Sequence, residues 1–242
     1  MPQGQHTSRV YENELRTLRD RLLLMGSLVE EMIGKAMKAL ATRDTVLARS
    51  TMKMDRRINR LECEIDDLCM RILAMRQPVA SDLRFVTKAL KIVTDLERIG
   101  DLGVNICDRV AELNEEPPLD ATFDLVALAD EATLVVHEAL DALVERDVDR
   151  ATELLTRDEA IDEHYSEIWK RLLELMTSDP TTIYRATRIQ SIAKYLERIG
   201  DHAMNIAETV VFLVTGKDIR HRNRRYETGA PPANDGAEGK PD

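Results

Sequence analysis

A thirteen-residue segment that occurs twice is the feature that most constrains the fold. LERIGDLGVNICD occupies residues 96–108 and LERIGDHAMNIAE occupies residues 196–208, and the two agree at eight of thirteen positions. Unrelated segments of ordinary composition would agree at about one position in thirteen. The match therefore predicts an internal duplication, in which two copies of one structural unit follow each other along the chain.

Apolar residues around both segments recur at alternating spacings of four and three, which is typical of helices that bury one stripe against other helices. The stripe of the second copy comprises Ile189, Ile192, Leu196, Ile199, Ala203, Ile206, Val210 and Leu213. Another follows Met54, Ile58, Leu61, Ile65, Leu68, Ile72 and Met75. Glycine and proline are sparse, at 10 and 8 residues, and aromatics make up only 4%. This composition favours long helices over sheet, so we predict an all-α protein.

The duplication extends beyond the thirteen residues. ALATRD at 39–44 corresponds to ALVERD at 142–147, an offset of 103 positions, whereas the LERIGD segments are offset by 100. Six long helices are predicted, at residues 8–42, 45–76, 82–113, 120–145, 148–177 and 180–215. Asp44, Asp147 and Asp179 are the expected N-caps and Gly216 the expected C-terminal stop.

We therefore expect two tandem antiparallel three-helix bundles, related by internal duplication and joined near Pro117–Pro118. The first repeat spans 8–115 and the second spans 119–216. Residues 1–7 are interpreted as a flexible N-terminus. Residues 217–242 are interpreted as a tail that is basic at 220–225 and then disordered.

The charge and cysteine content exclude several classes of protein. The formal charge of −10 argues against nucleic acid or an anionic membrane as a direct partner. Cys63, Cys69 and Cys107 are an odd number without metal-binding spacing, so buried thiols in a reducing compartment are expected. We see neither a signal-peptide h-region nor an apolar run of about 20 residues, and we predict a cytoplasmic protein.

The acidic residues of the duplicated segments share a second helical face, away from the apolar stripe, when the chain is projected at about 100° per residue. They are Glu97, Asp101 and Asp108 in the first copy and Glu197, Asp201 and Glu208 in the second. The preceding helices offer Asp55, Asp158 and Asp162, which would meet these residues if the second and third helices of each repeat run antiparallel. Carboxylates at i and i+4 repel each other by roughly 0.2–0.5 kcal/mol, so their presence in both copies suggests a bound cation.

A carboxylate set with few imidazoles suits Mg²⁺, Mn²⁺ or iron, and zinc is a further candidate. By spacing alone, a solvated acidic face remains the alternative. His202 has no counterpart in the first copy, where Leu102 stands, and is interpreted as a surface histidine. Trp169 is interpreted as a packing residue because it follows Ile168 on an apolar stripe.

The two LERIGD segments, the QPVASDLR segment at 77–84 and the duplicated six-helix pattern resemble the PhoU family of phosphate-signalling regulators over residues 8–216. The resemblance implies two bundles related by a pseudo-twofold axis, homodimers, and multinuclear metal binding by Glu97, Asp101, Glu197 and Asp201 with Asp158 and Asp162. Asn59 departs from the acidic pattern, so a weaker first site is expected.

The resemblance also implies a function. Proteins of this family act as negative regulators that link the ATPase subunit of a high-affinity phosphate ABC transporter to a phosphate-sensing histidine kinase. They restrain phosphate uptake and the starvation response when phosphate is plentiful. A member would reach the membrane only through these partners.

Two other functional classes remain open at this point. One is a carboxylate-bridged metalloenzyme of the helical-bundle type, although no Glu-x-x-His motif lies near the acidic segments. The other is a passive helical scaffold. We find no readable Gly-rich phosphate loop or Ser-His-Asp set, so no enzyme is expected. We also see no convergent arginine pocket in the sequence, so direct binding of phosphate is not expected.

Overall fold

The computed structural model describes residues 3–119 and 123–219, with side chains from residue 9 onward. Within these ranges every regular element is helical. The α-helices are α1 (Gln3–Thr42), α2 (Thr45–Met52), α3 (Asp55–Arg76), α4 (Ala80–Asn114), α5 (Leu125–Glu145), α6 (Val148–Leu154), α7 (Asp158–Ser178) and α8 (Ile183–Thr215), and a 3₁₀ turn at Pro180–Thr182 precedes α8.

The predicted helix ends are confirmed where a cap decides them. The Asp44 side chain accepts a hydrogen bond from the Leu47 amide, and Asp147 accepts one from Arg150 at the equivalent place. Asp179 caps the 3₁₀ turn, and Gly216 ends α8 with a left-handed φ of 72°. These side chains satisfy backbone groups that a helix end leaves free.

The second helix of each repeat is interrupted, which the sequence did not predict. The helix expected at 45–76 is divided into α2 and α3, and the one expected at 148–177 is divided into α6 and α7. At the first break, the amides of Lys53 and Met54 donate hydrogen bonds to the carbonyl oxygens of Ser50 and Thr51, three residues earlier. As a result, Asp55 and Asp158 are the first residues of α3 and α7. The helix dipole there stabilises a carboxylate.

Other expected boundaries also shift. Helix α1 begins at Gln3, before the predicted start at 8, and α4 begins at Ala80, before the predicted start at 82. The predicted connection between the repeats includes residues 120–122, and the predicted tail includes 220–242. These segments lie outside the described residues.

The two repeats pack against each other along α4 and α8, which run antiparallel. Lys88, twelve residues before Gly100, places Nζ 4.3 Å from the ring centroid of Phe212, twelve residues after Gly200. Arg188, twelve residues before Gly200, donates from Nε to Glu112 Oε2 at 2.9 Å. The two contacts are thus symmetric about a pseudo-twofold axis that passes near Gly100 and Gly200.

Buried apolar side chains from both repeats form one continuous core. Leu96 and Leu196 occupy the same position in their repeats, and both have no exposed surface. Helix α1 also packs against α5, so the repeats share two interfaces. The all-α fold of two three-helix bundles is confirmed. Two residues expected in the core are instead exposed: Trp169 by 38% and Met75 by 71%. None of the described helices is apolar and long enough to cross a bilayer.

Candidate functional site

The first acidic patch lies where α3 faces α4. It comprises the carboxylates of Asp55, Glu62, Glu97 and Asp101, with the side chains of Asn59 and Arg98 beside them. Asn59 Nδ2 donates to Asp55 Oδ2 at 2.9 Å. The Arg98 guanidinium lies 3.5 Å from both Glu97 and Asp101. The predicted meeting of Asp55 with the first LERIGD segment therefore occurs, and Arg98 partly neutralises it.

The second acidic patch is the pseudo-symmetric counterpart, where α7 faces α8. It comprises Asp158, Asp162, Glu197 and Asp201. Lys194 Nζ lies 2.5 Å from Glu197 Oε1 and supplies a cation that the first repeat lacks at this position, where Thr94 stands. Sequence analysis singled out all four carboxylates but not Lys194. One turn separates Lys194 from Glu197, a spacing that could have indicated the ion pair.

Crowding of the carboxylates changes their acidity. Burial, followed by the charges of Glu197, Asp158 and Asp162, raises the pKa of Asp201 to about 6. Burial and the charges of Asp162 and Glu197 raise the pKa of Asp158. In the first patch, burial and the charge of Asp101 raise the pKa of Asp55 and of Glu97. The four residues of each patch are thus close enough to oppose one another's ionisation.

Two carboxylate oxygens of the patches are buried without a hydrogen-bond partner among the described residues. They are Asp55 Oδ1 and Glu197 Oε2. Glu197 is only 8% exposed, so the acidic face is less open to solvent than the helical projection indicates. Helix α7, which packs on α8, covers it. A buried acceptor without a donor is costly, and a cation is one group that can satisfy it.

The donor chemistry therefore fits a hard cation, but the side chains are not closed around one. In the part of the chain that the structure describes, no three His, Cys, Asp or Glu side chains converge to metal-binding geometry. Asp108 and Glu208 lie seven residues beyond Asp101 and Asp201, about 10 Å along the helix axis, and thus outside the two patches. Cation binding would require rotamer changes of the more exposed side chains, Asp101 and Asp201.

Replacing Asp201 by asparagine is expected to stabilise the metal-free protein above pH 6. The pKa in the folded state is above the ordinary value of 3.8. The stabilising contribution of the Asp201 carboxyl is therefore fully present below about pH 4, and it is lost as the pH rises through about 6. At pH 8 we expect Asp201→Asn to raise the free energy of unfolding by about 1 kcal/mol. This value is smaller than the pKa shift alone would give, because Asp201 is exposed to solvent that screens the repulsion. Urea unfolding with a chelator at pH 4 and pH 8 measures it. An equal effect at both pH values would contradict the prediction.

A partly buried polar cluster joins the two repeats and was not predicted from the sequence. His202 Nδ1 lies 3.0 Å from Asp95 Oδ1, and Asn205 Nδ2 donates to the same oxygen at 3.3 Å. The side chains of His202 and Asp95 are 18% and 9% exposed. The interpretation of His202 as a surface histidine is therefore wrong. The pseudo-symmetric positions hold Leu102 and Tyr195, so this cluster exists in only one half of the interface.

The three cysteines differ in accessibility. Cys69 and Cys107 are buried, and burial raises the pKa of each thiol to about 12. Cys63 is exposed on α3, next to Glu62 of the first acidic patch. The expectation of buried thiols is therefore correct for two of the three.

Comparison with known proteins identifies the family. The family model of the PhoU domain matches the chain twice, over residues 22–110 and 125–210, and each match lies within one of the predicted repeats. The chain belongs to the PhoU family. The phosphate-specific transport system accessory protein PhoU homolog of Pseudomonas putida is 41% identical over 224 residues, which cover 92% of this chain and 88% of the relative. The corresponding Escherichia coli K12 protein is 34% identical, with coverage of 90% of each chain.

Solved PhoU structures have the same fold. The crystal structure of PhoU from Pseudomonas aeruginosa matches with a TM-score of 0.83 and 40% identity, covering 86% of this chain and all of that one. The phosphate transport system regulatory protein PhoU from Streptococcus pneumoniae matches with a TM-score of 0.81 and 32% identity, covering 86% of this chain and 99% of that one.

Proposed function

We propose that this chain is a regulatory accessory protein of a phosphate-specific transport system. The observation that carries the proposal is the double match to the PhoU domain, combined with relatives named as accessory proteins of such a system that align over most of both chains. The structurally similar Streptococcus pneumoniae protein is named as a regulatory protein of phosphate transport. The protein would act by presenting its helical surfaces to partners and shifting their conformational populations.

We further propose whether the protein raises or lowers phosphate uptake, and which partners it contacts. The protein restrains phosphate uptake and the starvation response when phosphate is plentiful. It does so by contacting the transporter's ATPase subunit and a phosphate-sensing histidine kinase, as a homodimer in the cytoplasm. Resemblance to the PhoU family supports this arrangement.

Deletion of the gene in its host, with complementation, tests the regulatory proposal. In phosphate-rich medium, loss of the protein is expected to raise phosphate uptake and expression of starvation genes, and the intact gene should restore both. Pull-down of the purified ATPase subunit and kinase should show direct binding. Unchanged uptake and expression in the deletion strain would argue against a negative regulator.

We also propose that the two acidic patches bind divalent or iron-type cations. The supporting observations are four mutually repelling carboxylates in each patch and the unpartnered oxygens of Asp55 and Glu197. A bound cation would supply the positive charge that holds the facing helices together. Arg98 and Lys194 compete with it for Glu97, Asp101 and Glu197. Cation affinity should therefore be modest and should increase with pH.

Thermal unfolding of chelator-treated protein tests the metal proposal. At a Mn²⁺ concentration of a hundredfold Kd, linkage predicts that each occupied patch raises the free energy of unfolding by about 2.7 kcal/mol. The Glu197→Gln/Asp201→Asn variant should lose the part of the stabilisation that comes from the second patch and keep the part that comes from the first. Asp130→Asn, at an exposed position on α5 outside both patches, should keep both parts. The proposal fails if Mn²⁺, Mg²⁺, Fe²⁺ and Zn²⁺ all leave the wild-type melting temperature unchanged.

A further inference from the structure

A cavity of about 140 Å³ lies between the repeats, where the start of α4 and the ends of α5 and α8 meet α1. Three arginines from different parts of the fold line it: Arg19 in α1, Arg84 in α4 and Arg146, which follows the end of α5. Ser81 in the first turn of α4 adds a hydroxyl, and most of the remaining lining is apolar. These residues are far apart in the sequence, so no local motif indicates that they converge.

Among the described residues, the three arginines have no anionic partner. None of their guanidinium groups forms an ion pair or donates a hydrogen bond to another residue within 9–119 and 123–219. Nε of Arg84 is buried without an acceptor, and the Arg19 guanidinium lies 5.0 Å from the ring centroid of Phe85. A buried donor without an acceptor is costly, and three like charges around one cavity repel each other. An anion placed among them would remove both costs.

A second cavity at the pseudo-symmetric end of the interface shows how its own arginines are satisfied. Arg43, the counterpart of Arg146, donates to the main-chain oxygens of Leu113 and Glu116. Arg185 donates to the carbonyl oxygens of Pro117 and Pro118, at 3.2 and 3.3 Å. The linker between the repeats thus supplies oxygen acceptors in this second cavity.

Within residues 9–119 and 123–219, the guanidinium groups of the first cavity have no equivalent main-chain acceptors. The sequence that follows α8 begins Lys217-Asp218-Ile219 and continues RHRNRR at 220–225, which is strongly basic. The run at 220–225 therefore offers no carboxylate to these arginines, whereas an external anion would supply negative charge.

Arg43 and Arg146 also share an unusual backbone. Their φ values are 53° and 55°, in the left-handed region that favours glycine or asparagine. An arginine there carries a conformational cost that glycine would not. In both repeats this backbone follows the last turn of the first helix and projects an arginine toward the interface cavity.

We propose that the cavity bounded by Arg19, Ser81, Arg84 and Arg146 binds a small tetrahedral oxyanion of the phosphate or sulfate type. Guanidinium forks donate paired hydrogen bonds to such oxygens, and the first turn of α4 adds a favourable dipole. A volume of 140 Å³ is below the roughly 300 Å³ of pockets for drug-sized ligands, and so suits an inorganic anion. The site does not depend on the proposed regulatory function or on metal binding, because anion affinity is a property of the isolated chain.

Calorimetric titration of the full-length protein with inorganic phosphate, sulfate and acetate at constant ionic strength tests the site. We expect phosphate or sulfate to bind with a Kd of about 1 mM or tighter, and acetate at least about tenfold more weakly. Arg84→Gln and Arg146→Gly should each weaken binding about tenfold. Arg146→Gly removes the guanidinium and relieves the left-handed strain, so it should not lower the melting temperature.

Matched controls come from the pseudo-symmetric cavity. Arg43→Gly removes an arginine with the same backbone conformation, and Arg185→Gln removes one whose donors are used by the linker. Both should retain wild-type anion affinity. The proposal is overturned if neither phosphate nor sulfate binds the wild-type protein, if acetate binds as tightly, or if the control variants lose as much affinity as Arg84→Gln.

Discussion

Replacing His202 by alanine is expected to lower the free energy of unfolding by about 3 kcal/mol, because it leaves Asp95 buried without its closest partner. Asp95 is 7% exposed, and its second oxygen, Oδ2, already lacks a hydrogen bond within the described residues. Of the residues that the structure describes, Asn205 alone would still donate to this carboxylate. Urea unfolding monitored by circular dichroism measures the loss.

The pseudo-symmetric half of the interface provides a control for this prediction. Tyr195 and Leu102 occupy there the positions of Asp95 and His202. The double variant Asp95→Tyr/His202→Leu copies that combination and removes the buried carboxylate together with its partner. It should recover most of the lost stability, because replacing both members of a buried polar pair is far less costly than removing one. A double variant less stable than His202→Ala would show that the cluster itself stabilises the interface.

Truncating Leu96 or Leu196 to alanine is expected to cost about 3–5 kcal/mol, the range for a large buried side chain whose site cannot collapse. Both side chains have no exposed surface and belong to one core that contains residues from both repeats. Because α4 packs along α8 and α1 along α5, neither repeat can unfold without exposing the other's apolar surface. Each variant should therefore unfold in one transition at lower denaturant concentration.

Scanning calorimetry together with circular dichroism distinguishes this outcome from independent repeats. Coincident transitions and an unchanged dependence on urea are expected for both variants. Two separate transitions in Leu96→Ala, with the second at the wild-type midpoint, would show that the second repeat is stable alone. A surface variant such as Glu159→Gln should leave the midpoint within about 0.5 kcal/mol of wild type.

The sequence was informative wherever local chemistry determines structure. The apolar stripes predicted the long helices, and the aspartate caps at 44 and 147 fixed two of their ends. The breaks near Met54 and Arg157 were missed because neither contains glycine or proline, and because Met54 continues the apolar spacing across the first break. Trp169 was misassigned because proximity to an apolar stripe does not determine whether a neighbouring helix covers a side chain.

Contacts between residues that are distant in the sequence could be predicted only where the duplication indicated them. The acidic residues of α4 and α8 were found through their repeated spacing, and the pairing of Asp158 with Asp201 followed from two antiparallel helices. The Asp95–His202 contact joins different repeats and has no second copy, so no periodicity indicates it. The arginine cavity draws residues from four helices, which only the packed structure brings together.

Because Cys63 is exposed, a spectroscopic probe can be attached to the protein without introducing a new cysteine. With Cys69 and Cys107 buried and their pKa values raised by burial to about 12, alkylation near neutral pH should be confined to one position. A fluorophore or nitroxide attached there sits on α3 beside Glu62. Its emission or line shape would therefore report on occupation of the first acidic patch, whereas the second patch would remain unlabelled. Titrations of the two patches could thus be separated in a single chain.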